Sequence, residues 1–172
     1  MTKPLYEANE QYIYQADIAK ALRSCGVKKG DVIFVHSDIS AFGKLSMLDA
    51  AFLLKSLLDS LKESVGTNGT IIMPTFTYSF TENKPYDIAN SKSKVGVLTE
   101  YFRKQPDVGR TAHADHSVAV WGRRKDELLK IGKDTSIVTS IVNVGDEEIT
   151  IDDCLIVAGS GGFISYNGTL LS

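Results

Sequence analysis

The stretch RTAHADHSVAVWG, residues 110–122, ends in a short apolar run at 118–121 that predicts a β-strand. Two of the chain's three histidines, His113 and His116, stand just before this run, and the third, His36, follows a second apolar run at 32–35. Ligands of α/β sheets bind in the crevice beyond the strand ends, and an unperturbed imidazole titrates near pH ~6.5. This placement of the histidines therefore favours proton transfer at neutral pH.

Helical and strand patterns alternate outward from this stretch. Apolar residues recur at helical spacing in four segments: 16–24, 46–65, 95–104 and 124–131. Short apolar or β-rich runs predict five strands: 32–35, 71–73, 118–121, 136–144 and 148–158. The predicted fold class is α/β, with a mostly parallel sheet flanked by helices and a β-rich C-terminal segment. Because no repeat or linker interrupts the pattern, residues 1–172 are expected to form a single domain.

Composition excludes several classes of protein. The chain is 43% hydrophobic and 23% charged, with a net charge of −2, which is typical of a globular domain that can bury a core. The sequence has neither an apolar run of about eighteen residues nor a signal peptide, so no membrane partner is expected and a cytoplasmic location is predicted. The near-neutral net charge does not indicate a nucleic-acid-binding surface. Cys25 and Cys154 lack metal-ligand spacing, so no metal site is predicted.

A small polar loop follows the predicted strand at 32–35. Residues 36–40 read HSDIS, and a helix is predicted to begin near Ser46. Backbone N–H groups at such a turn, with the hydroxyls of Ser37 and Ser40, are able to hold a phosphate or pyrophosphate. The loop is neither a P-loop nor a dinucleotide fingerprint, so an ordinary capped turn is the alternative.

These residues belong to an ordered series that resembles the aminoglycoside 3-N-acetyltransferases, also called antibiotic N-acetyltransferases. The resemblance is best over residues 15–125 and is carried by the following segments: GDV at 30–32, VHS at 35–37, Gly43, GT at 69–70, MPTFT at 73–77, PYD at 85–87, FR at 102–103, Arg110 and HADHSVA at 113–119. Asp38, Val95 and Ala114 depart from the family pattern, which usually has Ser, Met and Pro there.

The resemblance implies an acyltransferase that uses acetyl-CoA as co-substrate and an amine of an aminoglycoside or another amino sugar as acceptor. It also implies a role in antibiotic resistance. It implies His116 and His113 as catalytic residues, and Tyr78 and Asp87 as acceptor-binding residues. The implied coenzyme-binding residues are His36, Ser37, Asp38, Ser40, Pro74, Thr75, Thr77 and Ser117. Each has a structural alternative: His113 and Asp87 in particular are residue types that also stabilise turns.

The C-terminal part diverges from the resembled family. Members continue into a T-x-x-H-x-x-E motif, whereas Ser172 stands here where that histidine is expected, and residues 126–172 match poorly. The chain is therefore expected to be a truncated member, and the alternative function is a catalytically inactive CoA-binding or assembly module of the same fold. Residues 149–158 are expected to leave an open sheet edge, which predicts self-association.

Overall fold

The computed structural model describes residues 3–46 and 48–130, together with three short strands between residues 154 and 171. The described α-helices are α1 (Gln15–Ser24), α2 (Ala50–Val65), α3 (Val97–Phe102) and α4 (Lys125–Leu128). They confirm the four predicted helical segments. Helix α2 begins four residues later than predicted because Asp49 caps it: its Oδ1 accepts a hydrogen bond of 3.0 Å from Phe52 N. Among the described helices, none is long and apolar enough to cross a membrane.

A small antiparallel sheet forms at the N-terminal side of the chain. Its strands are β1 (Tyr6–Ala8), β2 (Gln11–Ile13) and β4 (Lys44–Leu45), in the order β2-β1-β4. This sheet is absent from the sequence-based prediction because its strands are two or three residues long and show no apolar alternation. Gly43 permits the close pairing of β1 and β4, since its φ is +130° and a Cβ there would lie 2.7 Å from Glu7 O.

Among the described residues the main sheet has seven strands: β3 (Val32–His36), β5 (Thr70–Pro74), β6 (Gly109–Arg110), β7 (Val118–Gly122), β8 (Cys154–Ala158), β9 (Phe163–Ser165) and β10 (Leu170–Leu171). Their order is β10-β9-β8-β3-β5-β7-β6. Strands β3, β5 and β7 confirm the runs predicted at 32–35, 71–73 and 118–121. The strand predicted at 136–144 lies outside the described residues.

The main sheet is mixed, which corrects the prediction of a mostly parallel sheet. Among the described pairings, β3 runs parallel to β5 on one side and to β8 on the other, whereas the other four are antiparallel. The antiparallel β5–β7 pairing continues past the end of β5, where Thr75 N donates to Ser117 O (2.8 Å) and Thr77 N donates to Asp115 O (3.1 Å). Apolar runs identify buried strands, but these backbone bonds decide the strand direction.

Strand β8 is an inner strand, so the open edge expected at 149–158 is wrong for the residues that the structure describes there. Residues 154–158 pair with β3, and Leu155 and Ile156 also pair with β9. The sheet order therefore ends in β10 on this side. A strand lies at an edge only if no other strand pairs with its free side. The apolar periodicity of residues 149–158 carries no information about such pairing.

Apolar side chains cover both faces of the central strands, as their continuous apolar runs predict. On β5, Ile71 and Met73 pack against the helices α2 and α3 in the larger core cluster, whereas Ile72 packs in a second cluster with Val120 and Leu128. Alternate side chains of a strand point to opposite faces, so one short run contributes to both cores. The backbone at the strand ends is thereby held between two packed layers.

Candidate functional site

All of the predicted site residues except Asp87 lie at one end of the main sheet. The parallel strands β3 and β5 both finish there, and the antiparallel strand β7 begins there. Three segments meet at this end: residues 36–40, 74–78 and 113–117, which we call the site end. The sequence predicted these segments separately, and the sheet topology is what groups them.

Side-chain hydroxyl groups link the segments 74–78 and 113–117, and they belong to Thr75, Thr77 and Ser117. Ser117 Oγ donates to Thr75 O (2.9 Å) and lies 3.2 Å from Thr75 Oγ1, with both side chains buried. Thr77 Oγ1 donates to Ala114 O. Pro74 pairs with Val118 as the last residue of β5. Hydroxyl groups predicted to bind the coenzyme thus already hold the ends of β5 and β7 together.

Arg110 is a residue of this network that sequence reasoning did not assign to the site. Its Nε donates to Thr75 Oγ1 and Ser117 Oγ at 3.1 Å each, and its Nη2 donates to Thr75 O at 2.5 Å. Its Nη1 donates to Ile88 O (3.2 Å) and Ser91 O (2.5 Å). Burial lowers the pKa of this guanidinium. The planar fork of an arginine suits such a junction, because it donates in several directions at once.

The two histidines of the site end have different surroundings. His113 Nδ1 accepts hydrogen bonds from Asp115 N (3.2 Å) and His116 N (2.9 Å), so the ring stabilises the turn. The ring of His116 makes edge-to-face contacts with Phe76 (5.0 Å between centroids) and Tyr78 (6.3 Å). The structural alternative for His113 is thus present in the structure, and a catalytic role of either histidine stays a prediction.

Asp115 connects the histidine turn to the loop after β5. Its Oδ1 accepts from Phe80 N (2.8 Å), and its Oδ2 accepts from Thr81 Oγ1 (2.9 Å). Burial opposes ionisation of Asp115, but these bonds and the nearby His116 outweigh it and lower the pKa of the carboxyl. Tyr78, in the same loop, has a positive φ of 55° and 37% of its surface exposed, and its ring contacts that of His116. The bonds to Asp115 therefore hold the loop with a partly exposed aromatic ring beside His116.

The 36–40 loop is closed by its own side chains. Asp38 Oδ1 accepts from Ser40 N (2.9 Å) and Ser40 Oγ (2.6 Å), which lowers the pKa of Asp38 and caps a 3-10 helix at Ile39–Phe42. Ser37 Oγ is buried and, among the described residues, has no hydrogen-bond partner. His36 is exposed at the end of β3. Of the two hydroxyls predicted to hold a phosphate, that of Ser37 has no partner among the described residues and that of Ser40 is engaged by a carboxylate.

Asp87 closes a turn, as its structural alternative predicts. Its Oδ1 accepts from Ala89 N (2.8 Å) and Asn90 N (2.9 Å), and its Oδ2 accepts from Asn90 Nδ2 (2.9 Å). The Asn90 amide is the largest cause of the lowered pKa of Asp87. These donors already solvate the carboxylate, so a role in binding the acceptor stays a prediction.

Helix α3 anchors the same turn through a partly buried ion pair. Arg103 donates to Glu100 from Nε (2.6 Å) and Nη2 (2.7 Å), and to Ala89 O from Nη1 (2.7 Å). Burial opposes ionisation of Glu100, but the bonds from Arg103, Lys104 and Ser93 N prevail and lower its pKa to about 2. Within the described part of the chain, no group of three His, Cys, Asp or Glu side chains is placed to hold a metal ion.

Comparison with known proteins gives consistent results over the segments of the site end. A family model described as aminoglycoside 3-N-acetyltransferase matches residues 34–137. Aminoglycoside N(3)-acetyltransferase IV from Salmonella sp is 32% identical over 117 residues, covering 67% of this chain and 42% of that protein. The SPbeta prophage-derived aminoglycoside N(3')-acetyltransferase-like protein YokD of Bacillus subtilis is 27% identical, covering 65% and 47%. The chain thus spans less than half the length of these curated relatives.

Solved structures share the fold. The crystal structure of YokD has a TM-score of 0.59 at 25% identity and covers 67% of this chain and 52% of that one. The AAC-IIIb binary structure with CoASH has a TM-score of 0.61 at 22% identity, covering 83% and 58%. AAC-VIa bound to sisomicin has a TM-score of 0.64 at 21% identity, covering 86% and 59%. The last two likenesses establish the architecture alone.

Proposed function

Because the chain belongs to the aminoglycoside 3-N-acetyltransferase family, we propose that it transfers the acetyl group of acetyl-CoA to an amine of an aminoglycoside or another amino sugar. The observation that carries this proposal is the family match over residues 34–137, because that range contains all three segments of the site end. CoASH is the ligand named for the AAC-IIIb structure, and sisomicin is the one named for AAC-VIa.

The reaction makes two demands on the site. The acceptor amine is largely protonated at neutral pH, so it must lose a proton before its nitrogen attacks the thioester carbonyl. The new C–N bond then forms as the C–S bond breaks, and CoA leaves as the thiol. A base near the amine and donors around the developing oxyanion are therefore required.

His116 is the proposed base. Its imidazole is half-buried beside Phe76 and Tyr78, and an ordinary histidine takes up protons in the neutral range. The neighbouring Asp115 side chain fixes the adjoining turn by accepting from Phe80 N and Thr81 Oγ1. His113 supports this arrangement by accepting His116 N, which makes it a positioning residue in the proposal.

The proposed coenzyme side consists of the 36–40 loop and the end of β5. Ser37 Oγ is the group best suited to a hydrogen bond with the coenzyme, since it is buried and lacks a partner among the described residues. Tyr78, partly exposed beside His116, is the proposed acceptor contact. The small-molecule partners are thus acetyl-CoA and the amine. A cytoplasmic location and self-association remain predictions.

Release of the CoA thiol tests the proposal. The protein is incubated with acetyl-CoA and sisomicin, and a thiol reagent follows the product. We expect amine-dependent release that falls about 10² to 10⁴-fold in His116→Gln, because a general base contributes about that factor. His113→Asn keeps a side-chain acceptor for the turn and is expected to retain most of the rate.

Each result bears on a separate part of the proposal. No amine-dependent thiol release by the wild-type protein would contradict the transfer itself. An unchanged rate in His116→Gln would remove His116 as the base. A loss in His113→Asn as deep as that in His116→Gln, with the fold intact by circular dichroism, would assign the proton transfer to His113 instead.

A further inference from the structure

A buried tyrosine in the N-terminal sheet contacts the segment that follows the proposed coenzyme loop. Tyr6, on β1, has 0% of its surface exposed, and its hydroxyl donates to Ile39 O at 2.9 Å. Its ring lies 5.6 Å from that of Phe42, with the planes tilted by 46°. One side chain therefore contacts the first and the last residue of the 3-10 helix, and Ile39 lies 33 positions away in sequence.

The backbone around Tyr6 holds the same segment. Tyr6 pairs with Leu45 in the β1–β4 ladder, Ser46 N donates to Leu5 O (3.2 Å), and Ser46 Oγ donates to Pro4 O (2.6 Å). Gly43 lies so close to Glu7 O that a Cβ there would stand 2.7 Å from it. Residues 4–7 therefore secure the chain from residue 39 to residue 46.

This attachment bears on the 36–40 loop itself. Asp38 caps the 3-10 helix, so the position of Ile39 determines where the Asp38–Ser40 pair lies, and Ser37 directly precedes that pair. Burial raises the pKa of Tyr6 to about 12, and the Asp38 charge adds to this. The phenol therefore remains a hydrogen-bond donor throughout the neutral range.

We propose that Tyr6 is a positioning residue for coenzyme binding, which holds the 36–40 loop through its hydrogen bond to Ile39 O. Tyr6 lies outside the range 34–137 that the family model matches, so the family pattern does not assign it this role. The inference rests on the proposed function, because it takes the loop to be a CoA contact. Its effect is to preorganise the loop, so that CoA does not have to order it on binding.

The test compares Tyr6→Phe with the matched control Tyr12→Phe, whose ring lies on β2 of the same sheet and is 58% exposed. Amide hydrogen exchange is measured by mass spectrometry over residues 37–46 and, for reference, over 70–76. CoA affinity is measured by calorimetry. Loss of one hydrogen bond raises the equilibrium constant for local opening about fivefold. Amide exchange over 37–46 should therefore rise by about that factor, and CoA should bind up to about fivefold more weakly. Tyr12→Phe should change neither.

The outcomes separate this inference from the function on which it rests. A Tyr6→Phe protein with unchanged exchange over 37–46, or with looser exchange but unchanged CoA affinity, overturns the positioning role. A lowered unfolding temperature with unchanged CoA affinity would show that Tyr6 is merely structural. If the wild-type protein gives no CoA binding heat, the proposed function fails, and the exchange data alone decide whether Tyr6 holds the loop.

A second variant reaches the same contact from the other side. Gly43→Ala places a methyl group against Glu7 O at a positive φ, which pushes β1 away from the end of the 3-10 helix. The same faster exchange over 37–46 and weaker CoA binding are expected. A Gly43→Ala protein that is folded and binds CoA as the wild type does would contradict the inference independently of Tyr6.

Discussion

Replacing Arg110 by alanine should separate the strand ends that form the site. Its guanidinium donates five hydrogen bonds, three of them to the backbone carbonyls of Thr75, Ile88 and Ser91. Truncation leaves these oxygens without a charged donor at a half-buried position. The change therefore acts on the junction of β5, β7 and the 86–91 turn rather than on the core.

The size of the effect follows from those bonds. A hydrogen bond to a charged group contributes about 1.5–3 kcal/mol, and releasing a long side chain returns about 2 kcal/mol of rotamer entropy. Taking the low end for the three carbonyl contacts leaves a net loss of about 2–3 kcal/mol. In a chain of this length each kcal/mol lowers the unfolding temperature by about 2–4 °C, so Arg110→Ala should unfold about 5–10 °C below the wild type. Arg110→Lys keeps the charge but not the planar fork, and we expect an intermediate loss.

Urea unfolding followed by circular dichroism measures this loss as a difference in unfolding free energy. The matched control is Arg123→Ala, an exposed arginine just beyond β7, which should stay within about 0.5 kcal/mol of the wild type. If Arg110→Ala also stays within that margin, the reasoning that Arg110 holds the strand ends together is refuted.

Two further predictions concern the loop and helix α3. Ser37→Ala should weaken CoA binding about fivefold in calorimetry, because its buried hydroxyl has no partner among the described residues. Ser40→Ala should weaken binding less, because the Ser40 hydroxyl already donates to Asp38. A larger loss in Ser40→Ala than in Ser37→Ala would contradict the assignment of the loop. Glu100 has a folded pKa of about 2, below its ordinary 4.5, so it stabilises the fold above about pH 4.5 and this contribution is lost as the pH falls toward 2. The unfolding free energy of the wild type should therefore fall more steeply over that window than that of Glu100→Gln, and parallel curves would show that the ion pair adds no stability.

The local helices and strands, and the residue types grouped near their ends, follow from the amino-acid sequence. Strands β3, β5 and β7 and helices α1 to α4 lie where apolar periodicity predicts them, because that signal depends only on neighbours within one or two turns. The ordered series from GDV at 30–32 to HADHSVA at 113–119 was sufficient to indicate the family that the family model supports over residues 34–137.

The tertiary structure alone decided strand direction and what each site side chain contacts. Partners far apart in the chain form three features: the antiparallel pairing of β7 with β5, the small sheet around Tyr6 and the hydrogen bonds of Arg110. Arg110 and Thr75 are 35 positions apart, and Thr75 and Ser117 are 42 positions apart. His113 shows the same limit at short range, since only the backbone path of the turn brings two N–H groups to its Nδ1. Hydrogen bonds act over about 3 Å and depend on angle, so their partners depend on how the packed layers bring distant segments together. Local sequence patterns do not show which distant segments come that close.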